Sequence, residues 1–374
     1  MVERGNKDEG VAPDLWKMAE ETVSSTPEIH NLNNADFDKT VLFLGEKQSG
    51  KTSLIQSFLG QLREEREPKP TTALDYRYVK RNNTQKREIA HIYELGGGRL
   101  LSDLISVPVN LETLHNSIAI IAVDLSKPGS AISSLRYWLG CLRKKVMQTF
   151  STLAKQKPTI HQSLKDQIVT KWRDHEDREM ISPQLTPIKI IIVATKYDIY
   201  FNNQESEKQK WMSRTLRFLA HTHGASLLSF STKEQKLQTY FKAMMNHYTF
   251  GSSFGSHNNT DHGKPLLITA GHDRLSSIGM PKDTGRGASI DDLTQSWERT
   301  FYSVFDQEDA ETNNKHREFD PNLYTEERVD SMRREKDKEL ERYSKENERK
   351  SKFDKDSSPD KAENRRKMKK NLNQ

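Results

Sequence analysis

The sequence predicts an α/β fold, with a mostly parallel six-stranded sheet that carries helices on both faces. From Lys39 onward, apolar segments of strand length alternate with amphipathic segments of helix length, which is the pattern of consecutive βαβ units. The segment Ser117 to Val123 is apolar after its first residue, as expected for a central strand buried on both faces. A phosphate-binding motif joins the first strand to the first helix. Together these observations predict a P-loop domain over residues 37–275.

The phosphate-binding motif occupies residues 45–52, Gly-Glu-Lys-Gln-Ser-Gly-Lys-Thr, and matches G-x-x-x-x-G-K-[ST] without a mismatch. In such a loop, backbone N–H groups and a lysine bind phosphate oxygens, and the threonine hydroxyl binds Mg²⁺. The alternative is a glycine-rich turn that binds nothing, and the flanking strand and helix argue against it. The predicted phosphate-binding residues are Gly45, Ser49, Gly50, Lys51, Thr52 and Ser53, with Thr52 as the Mg²⁺ ligand.

The remaining elements of the domain follow in order. Strands are predicted at 40–44, 74–79, 89–93, 117–123, 188–194 and 227–230. Helices are predicted at 130–157, 162–173, 205–223 and 236–247, with an insertion beside the sheet over about 155–187. His221 and His223 fall in the last turn of the third of these helices, where a histidine more often stabilises the helix end than binds metal.

Three segments flank the domain. Residues 1–36 are predicted to form an arm with one short helix, residues 276–350 a helical extension, and residues 351–374 a disordered basic tail. The extension contains two sets of apolar residues, one at Leu293, Trp297, Phe301 and Val304 and a sparser one at Val329, Met332, Leu340 and Tyr343. An apolar stripe of this kind needs a surface to cover it. The second helix is expected to dock on a partner, with a solvated helix as the alternative.

Composition limits the protein class. Only 33% of the residues are hydrophobic and 30% are charged, so much of the chain must be solvated. The single cysteine, Cys141, excludes an intramolecular disulfide and suits a reducing compartment. We expect no signal peptide and no membrane span, hence a soluble intracellular protein. The net charge is +6, but its charges are interleaved, which favours a solvated surface over a nucleic-acid site.

The residues that follow the fifth strand predict a guanine site. Thr195-Lys196-Tyr197-Asp198 stands where a Ras-like GTPase has N-K-x-D. Asp198 could accept from the N1–H and 2-amino groups of guanine, and the stem of Lys196 could lie along the base. Thr195 replaces the asparagine, so one contact is lost or changed. Alternatively, Asp198 is a capping or turn residue. The loop that corresponds to S-A-K is Ser231, Thr232 and Lys233.

The hydrolytic machinery, by contrast, is incomplete. Where a switch GTPase has D-x-x-G-Q, this chain has Glu94-Leu95-Gly96-Gly97-Gly98. Glu94 could reach Mg²⁺ and Gly97 could contact the γ-phosphate, but Gly98 has no side chain to orient water. Thr71 or Thr72 is the candidate switch threonine. No catalytic residue is assigned, and turnover is expected to be slow or absent unless a partner supplies the missing group.

Several segments resemble the dynein light intermediate chains. The segments that carry the likeness are Ile92–Gly98, Leu104–Pro108, Val123–Pro128, Lys69–Tyr76, Thr215–His221, Lys264–Gly271, Val329–Arg333 and Leu340–Tyr343. The resemblance implies a Ras-like domain with a C-terminal extension, in a non-catalytic subunit that binds the dynein heavy chain. Ser351–Gln374 has no apolar helix comparable to the adaptor-binding tail of the dynein 1 chains, which favours the branch that serves the ciliary motor, cytoplasmic dynein 2.

The resemblance also implies partners and places. The expected partners are the dynein 2 heavy chain, the other dynein 2 intermediate and light chains, and intraflagellar transport particles, in the cytoplasm, the cytoskeleton and the cilium, including its axoneme and basal body. GDP or GTP with Mg²⁺ is the expected ligand. A structural motor subunit and a regulatory guanine-nucleotide switch both remain open. The expected heavy-chain docking residues are Trp297, Phe301, Val329, Met332, Leu340 and Tyr343. The alternative for Trp297 is packing on the chain's own Ras-like domain.

Overall fold

The computed structural model of the chain describes residues 38–62, 68–82, 87–255, 258–281, 289–307 and 326–356. The described residues up to 307 belong to one compact unit, and residues 326–356 belong to a second. The arm expected over residues 1–36 and the tail beyond residue 356 lie outside the described residues. In the part of the chain that is described, no helix combines the length and hydrophobicity needed to span a membrane.

The first unit is built on a seven-stranded sheet in the order β2-β3-β1-β4-β5-β6-β7. Strands β3, β1, β4, β5 and β6 pair in parallel, while β2 and β7 are antiparallel edge strands. This confirms the mostly parallel Ras-like sheet. The predicted number of six strands was wrong, because the sheet has a seventh, short strand, β7. The strands are β1 (Lys39–Gly45), β2 (Leu74–Asn82), β3 (Arg87–Leu95), β4 (Ser117–Asp124), β5 (Lys189–Thr195), β6 (Ser226–Ser229) and β7 (Leu267–Ile268).

Helices connect these strands. Pro158 occupies the first turn of α3, where its missing N–H costs nothing, and it separates α3 from α2. The short helices α3 and α4 lie in the predicted insertion. The α-helices are α1 (Lys51–Leu59), α2 (Pro128–Gln156), α3 (Pro158–Lys171), α4 (Arg178–Ile181), α5 (Tyr197–Asn203), α6 (Ser206–Thr222), α7 (Gln235–Phe250), α8 (Leu275–Ile278), α9 (Ile290–Val304) and, in the second unit, α10 (Glu327–Asp356). Short 3₁₀ helices occur at Gly98–Ser106, Leu114–Asn116 and Ser182–Gln184.

Alternate residues of the central strands belong to two hydrophobic cores, one on each face of the sheet. Leu42, Ile121 and Ile192 point to the core that contains residues of α2, α6 and α9. Phe43 and Ile120 point to the opposite core, which contains residues of α1 and α7. Because side chains alternate along a strand, a fully apolar strand such as β4 supplies both cores.

The aromatic residues Trp297 and Phe301 of helix α9 do not have the docking role predicted for them. Trp297 is 1% exposed and Phe301 is 0% exposed, and both belong to the core beneath α6 and α9. The Trp297 ring stacks on Phe218 of α6, with 5.6 Å between ring centroids. Side chains so deeply buried are not available to a partner, so their predicted docking on a heavy chain is wrong. The Ras-like domain therefore extends beyond residue 275 to include α9.

Helix α10 presents the second set of apolar residues, and they are exposed. Val329, Met332, Leu340 and Tyr343 have exposed fractions between 62% and 68%. The helix continues to Asp356, past Ser351, where disorder was expected to begin. The docking role of these four apolar residues stays a prediction.

We expect Trp297→Ala to lower the free energy of unfolding by about 3–5 kcal/mol, since removing a buried aromatic side chain leaves a cavity. Chemical denaturation followed by circular dichroism measures this loss. Leu340→Ala is the control and should change the value by no more than about 0.5 kcal/mol, because its side chain is exposed. Equal, small effects of both substitutions would contradict a core role for Trp297.

Candidate functional site

The phosphate loop lies between the end of β1 and the start of α1. Gly45 and Gly50 have φ values of 145° and 88°, which favour glycine. A Cβ at Gly45 would lie 2.5 Å from the Ala122 carbonyl oxygen of β4. Helix α1 begins without an acidic residue in its first turn and without a side-chain cap, so its N–H groups and dipole are suited to an anion. Ser49 lies in the loop, and Ser53 lies in the first turn of α1.

Lys51 is 5% exposed, and its ammonium group is held by the loop itself. Nζ donates to the carbonyl oxygens of Gly45 at 3.0 Å and Glu46 at 2.8 Å. Burial lowers the pKa of Lys51 to about 8, although the negative charges of Glu94 and Glu46 act to raise it. A bound phosphate would add a further negative partner and favour the charged form.

Thr52 and Glu94 lie where the sequence predicts Mg²⁺. The Thr52 hydroxyl donates to Glu94 Oε1 at 2.6 Å. Glu94 is 2% exposed, and within the described residues its other carboxylate oxygen, Oε2, has no hydrogen-bond partner. A hydroxyl next to a carboxylate with one unpaired oxygen is an oxygen donor set that Mg²⁺ accepts, so these residues fit the ion.

Of the two candidate switch threonines, Thr71 lies close to the three-glycine segment that follows β3. A Cβ at Gly96 would stand 2.3 Å from the Thr71 carbonyl oxygen, so Thr71 meets this segment through its backbone. Thr72 is exposed just before β2. Gly97 and Gly98 both have positive φ, 72° and 64°. The water-orienting position thus combines the lack of a side chain with a backbone conformation that disfavours one.

An ion pair that sequence analysis missed ties this segment to the phosphate loop. Arg99 Nε lies 2.6 Å from Glu46 Oε1, and the Arg99 guanidinium stacks on the Tyr137 ring of α2 at 4.6 Å. The Tyr137 hydroxyl donates toward the Arg99 carbonyl at 3.3 Å. Glu46 occupies a variable position of the motif, so the motif does not indicate a role for it. The one sequence feature that could have indicated this ion pair is Arg99, a charged residue directly after three glycines.

Thr195 serves the phosphate loop rather than the base. Its side chain is buried, and Oγ1 lies 2.8 Å from the Ser49 carbonyl oxygen and 3.0 Å from that of Val123. The ends of β5, β4 and β1 lie side by side, which places the Thr195 hydroxyl against these two carbonyls. The hydroxyl is therefore engaged within the protein and does not face a ligand. The predicted guanine contact of Thr195 is therefore replaced by a structural contact.

Lys196 is likewise held by the protein. Its ammonium group forms an ion pair with Asp124 at the end of β4. Lys196 and Gln48 of the phosphate loop, with φ of 55° and 61°, are the non-glycine residues with positive φ in the described part of the chain. Such strained backbone tends to occur at functional sites, and both instances border this one.

Asp198 is positioned by the loop after β6, which contains the predicted guanine-binding residues Ser231 and Lys233. Ser231 Oγ donates to Asp198 Oδ1 at 2.7 Å, and Lys233 Nζ lies 3.3 Å from Oδ2. Burial acts to raise the pKa of Asp198, but the hydrogen bonds from Ser231 and Lys233 outweigh it and lower the pKa below its usual value. Asp198 is thus an ionised acceptor at neutral pH. Thr232, between these two partners, is exposed.

Comparisons with known proteins identify the family. A sequence model described as dynein light intermediate chain matches residues 14–189. Cytoplasmic dynein 2 light intermediate chain 1 of Bos taurus is 35% identical over 344 residues, which cover 88% of this chain and 95% of that protein. The chain belongs to the dynein light intermediate chain family. This confirms the resemblance carried by its sequence segments.

Other members of the dynein light intermediate chain family are also similar to this chain. Cytoplasmic dynein 2 light intermediate chain 1 of Danio rerio is 36% identical over 82% of this chain and 86% of that protein. Cytoplasmic dynein 1 light intermediate chain 1 of Homo sapiens is 30% identical over 29% of this chain and 20% of that protein. Among solved structures, the conserved domain of a dynein light intermediate chain gives a TM-score of 0.47 at 15% identity, over 70% of this chain and 90% of that one.

The lowered pKa of the buried Lys51 predicts that the stability of the ligand-free protein depends on pH. The folded pKa of Lys51, about 8, lies below its ordinary value of 10.5, so the unfolded chain binds more protons between these pH values. Stability should therefore gain up to about 3 kcal/mol from this group as pH rises from 8 to 10.5. Denaturation of the protein and of Lys51→Met across this range isolates the contribution. Parallel pH profiles of the two proteins would contradict the shift.

Proposed function

We propose that this chain is a non-catalytic accessory subunit of the cytoplasmic dynein 2 motor, which binds and stabilises the heavy chain for retrograde intraflagellar transport and cilium assembly. The main support is the match to cytoplasmic dynein 2 light intermediate chain 1 over 95% of the Bos taurus protein. Its proposed further partners are the dynein 2 intermediate and light chains and the transport particles. The proposed locations are the cytoplasm, the cytoskeleton and the cilium, including the axoneme and basal body.

The geometry of the phosphate site favours a structural role over a switch. Gly98 leaves the water-orienting position without a side chain. The 3₁₀ segment that begins there is tied to the phosphate loop by the Arg99–Glu46 ion pair and to α2 by Tyr137. A segment already fixed by protein groups has little conformational freedom left for a γ-phosphate to control.

A regulatory guanine-nucleotide switch is the second candidate. It is favoured by the intact phosphate loop and by Glu94 Oε2, which lies beside Thr52 and has no hydrogen-bond partner in the described part of the chain. The charged carboxylate of Asp198, held by Ser231 and Lys233, also supports a guanine contact. Binding without turnover fits both sets of observations, and it is the state that we propose for this pocket.

We predict that the purified chain carries a guanine nucleotide that it hardly hydrolyses. Denaturing the protein and identifying the released nucleotide by chromatography tests occupancy, and incubation with GTP tests turnover. Lys51→Ala should lower occupancy, because it removes a charge-assisted phosphate contact. Lys47→Ala in the same loop is the matched control, since its position in the motif is unconstrained.

An empty protein that binds neither added GDP nor GTP would refute the nucleotide proposal. Unaided hydrolysis at about 1 s⁻¹ would refute the argument from Gly98, because a Ras protein with its glutamine is far slower on its own.

We also predict that α10 contributes to heavy-chain binding through its exposed apolar residues. Replacing Leu340 and Tyr343 together by Asp should weaken co-precipitation of the dynein 2 heavy chain by at least about tenfold, because large apolar anchors dominate interface energies. Both side chains are exposed, so the substitutions should leave the first unit folded. Val169→Asp on α3, also exposed, is the control. Undiminished binding by the double variant would rule out this docking role.

A further inference from the structure

A cluster of two histidines and an aspartate lies away from the nucleotide pocket, in the first unit. His175 and Asp177 come from the turn between α3 and α4, and His221 comes from the last turn of α6. His223 donates from Nδ1 to the Leu219 carbonyl oxygen at 2.9 Å and so stabilises the helix end, as expected. His221 does not share that role, because its Nε2 lies 2.9 Å from Asp177 Oδ2.

The spacing of the three side chains suits a single metal ion. One ligand atom from each residue lies within 4.8 Å of the other two, and this is the only such group of three or more His, Cys, Asp or Glu residues in the described ranges. The Asp177 Oδ2 atom lies 2.9 Å from His221 Nε2 and 4.0 Å from His175 Nδ1. In a tetrahedral zinc site with bonds of about 2.0–2.1 Å, neighbouring ligand atoms are about 3.3 Å apart. The observed separations bracket that value.

The hydrogen bonds around the cluster orient the His175 ring. Its Nε2 lies 3.0 Å from the Asp273 carbonyl oxygen, and because a carbonyl only accepts, Nε2 carries the proton. In the neutral ring Nδ1 is then unprotonated, and its lone pair accepts from the Asp177 backbone N–H at 3.1 Å. A metal ion bound at Nδ1 would replace this hydrogen bond. A histidine that donates its second ring N–H to a carbonyl is the usual outer-shell arrangement at metal sites.

The other two residues are also held by hydrogen bonds, and His221 Nε2 already lies against Asp177 Oδ2. Asp177 Oδ2 accepts from the Leu275 backbone N–H at 2.9 Å, which fixes the carboxylate. His221 Nδ1 has no partner among the described residues. Its tautomer is therefore not locked by a second hydrogen bond, and Nε2 can either donate to Asp177 or coordinate an ion.

The three side chains are largely buried, and neighbouring groups hold them in place. His221 has 1% of its side chain exposed, while His175 and Asp177 have 11% and 13%, so ions can enter from one side. Asp273, which orients His175 through its carbonyl, is itself held by a bidentate ion pair with Arg217 at 2.7 and 2.8 Å. The Trp172 ring packs against both histidine rings. This arrangement holds the ligands in place without further folding of the site.

From this geometry we propose that His175, Asp177 and His221 bind one zinc ion, with water as the fourth ligand. Two imidazole nitrogens and one carboxylate oxygen form a ligand set that zinc takes in three-residue sites. The ion would join the turn after α3, the end of α6 and, through Asp177, the residues at the start of α8. The site is separate from the nucleotide pocket, so the two proposals stand or fall independently.

Isothermal titration of the tag-free full-length chain with zinc chloride, after chelator treatment, tests the proposal. We expect saturable binding of one zinc ion per chain, and a rise in melting temperature when zinc is present. Asp177→Asn keeps an oxygen that can accept from Leu275, and His175→Gln keeps a polar side chain; each should weaken zinc binding by more than the about 10–100-fold cost of losing an outer-shell partner. His247→Gln, whose histidine contacts the Ser252 carbonyl, should bind as the wild type does.

The wild-type titration makes the test decisive even if a variant folds poorly. Absence of saturable zinc binding to the folded wild-type chain would overturn the proposal. Equal zinc affinity in wild type, Asp177→Asn and His175→Gln would overturn it as well, because the ion would then bind elsewhere.

Discussion

The parallel pairing of β1, β4 and β5 is the constraint on which the nucleotide site depends. The register places Gly45 beside Ala122 and Asp124 beside Thr195, so the carboxyl ends of all three strands meet at one edge of the sheet. At that edge the Thr195 hydroxyl lies between the carbonyls of Ser49 and Val123. One buried hydroxyl thus links the base loop, the central strand and the phosphate loop.

The protein itself satisfies many of the groups that could face a ligand. Lys51 donates to loop carbonyls, Thr52 donates to Glu94, and Lys196 pairs with Asp124. Buried polar groups that lack partners are costly, so these contacts let the pocket keep its shape through protein interactions. This geometry is consistent with the proposed accessory role, in which a nucleotide would be a stably bound component.

The two apolar stripes of the C-terminal extension have similar sequence patterns, but one is buried and the other is exposed. The helix that carries Trp297 and Phe301 is covered by α6 and completes the core. The helix that carries Leu340 and Tyr343 is so rich in charge that its few apolar residues are spread thinly, and they are exposed. The first stripe stabilises the fold, whereas the second is available to a partner.

The sequence by itself determined the order of six of the seven strands and of the longer helices, the phosphate loop and the family, because periodicity and motif spacing are local properties of the chain. Only the tertiary structure decided that Thr195 supports the phosphate loop, that Glu46 pairs with Arg99, that Trp297 is core, and that His175, Asp177 and His221 converge. Those contacts join residues that are distant in sequence, and a local pattern carries no information about which distant group will cover or pair with a given side chain.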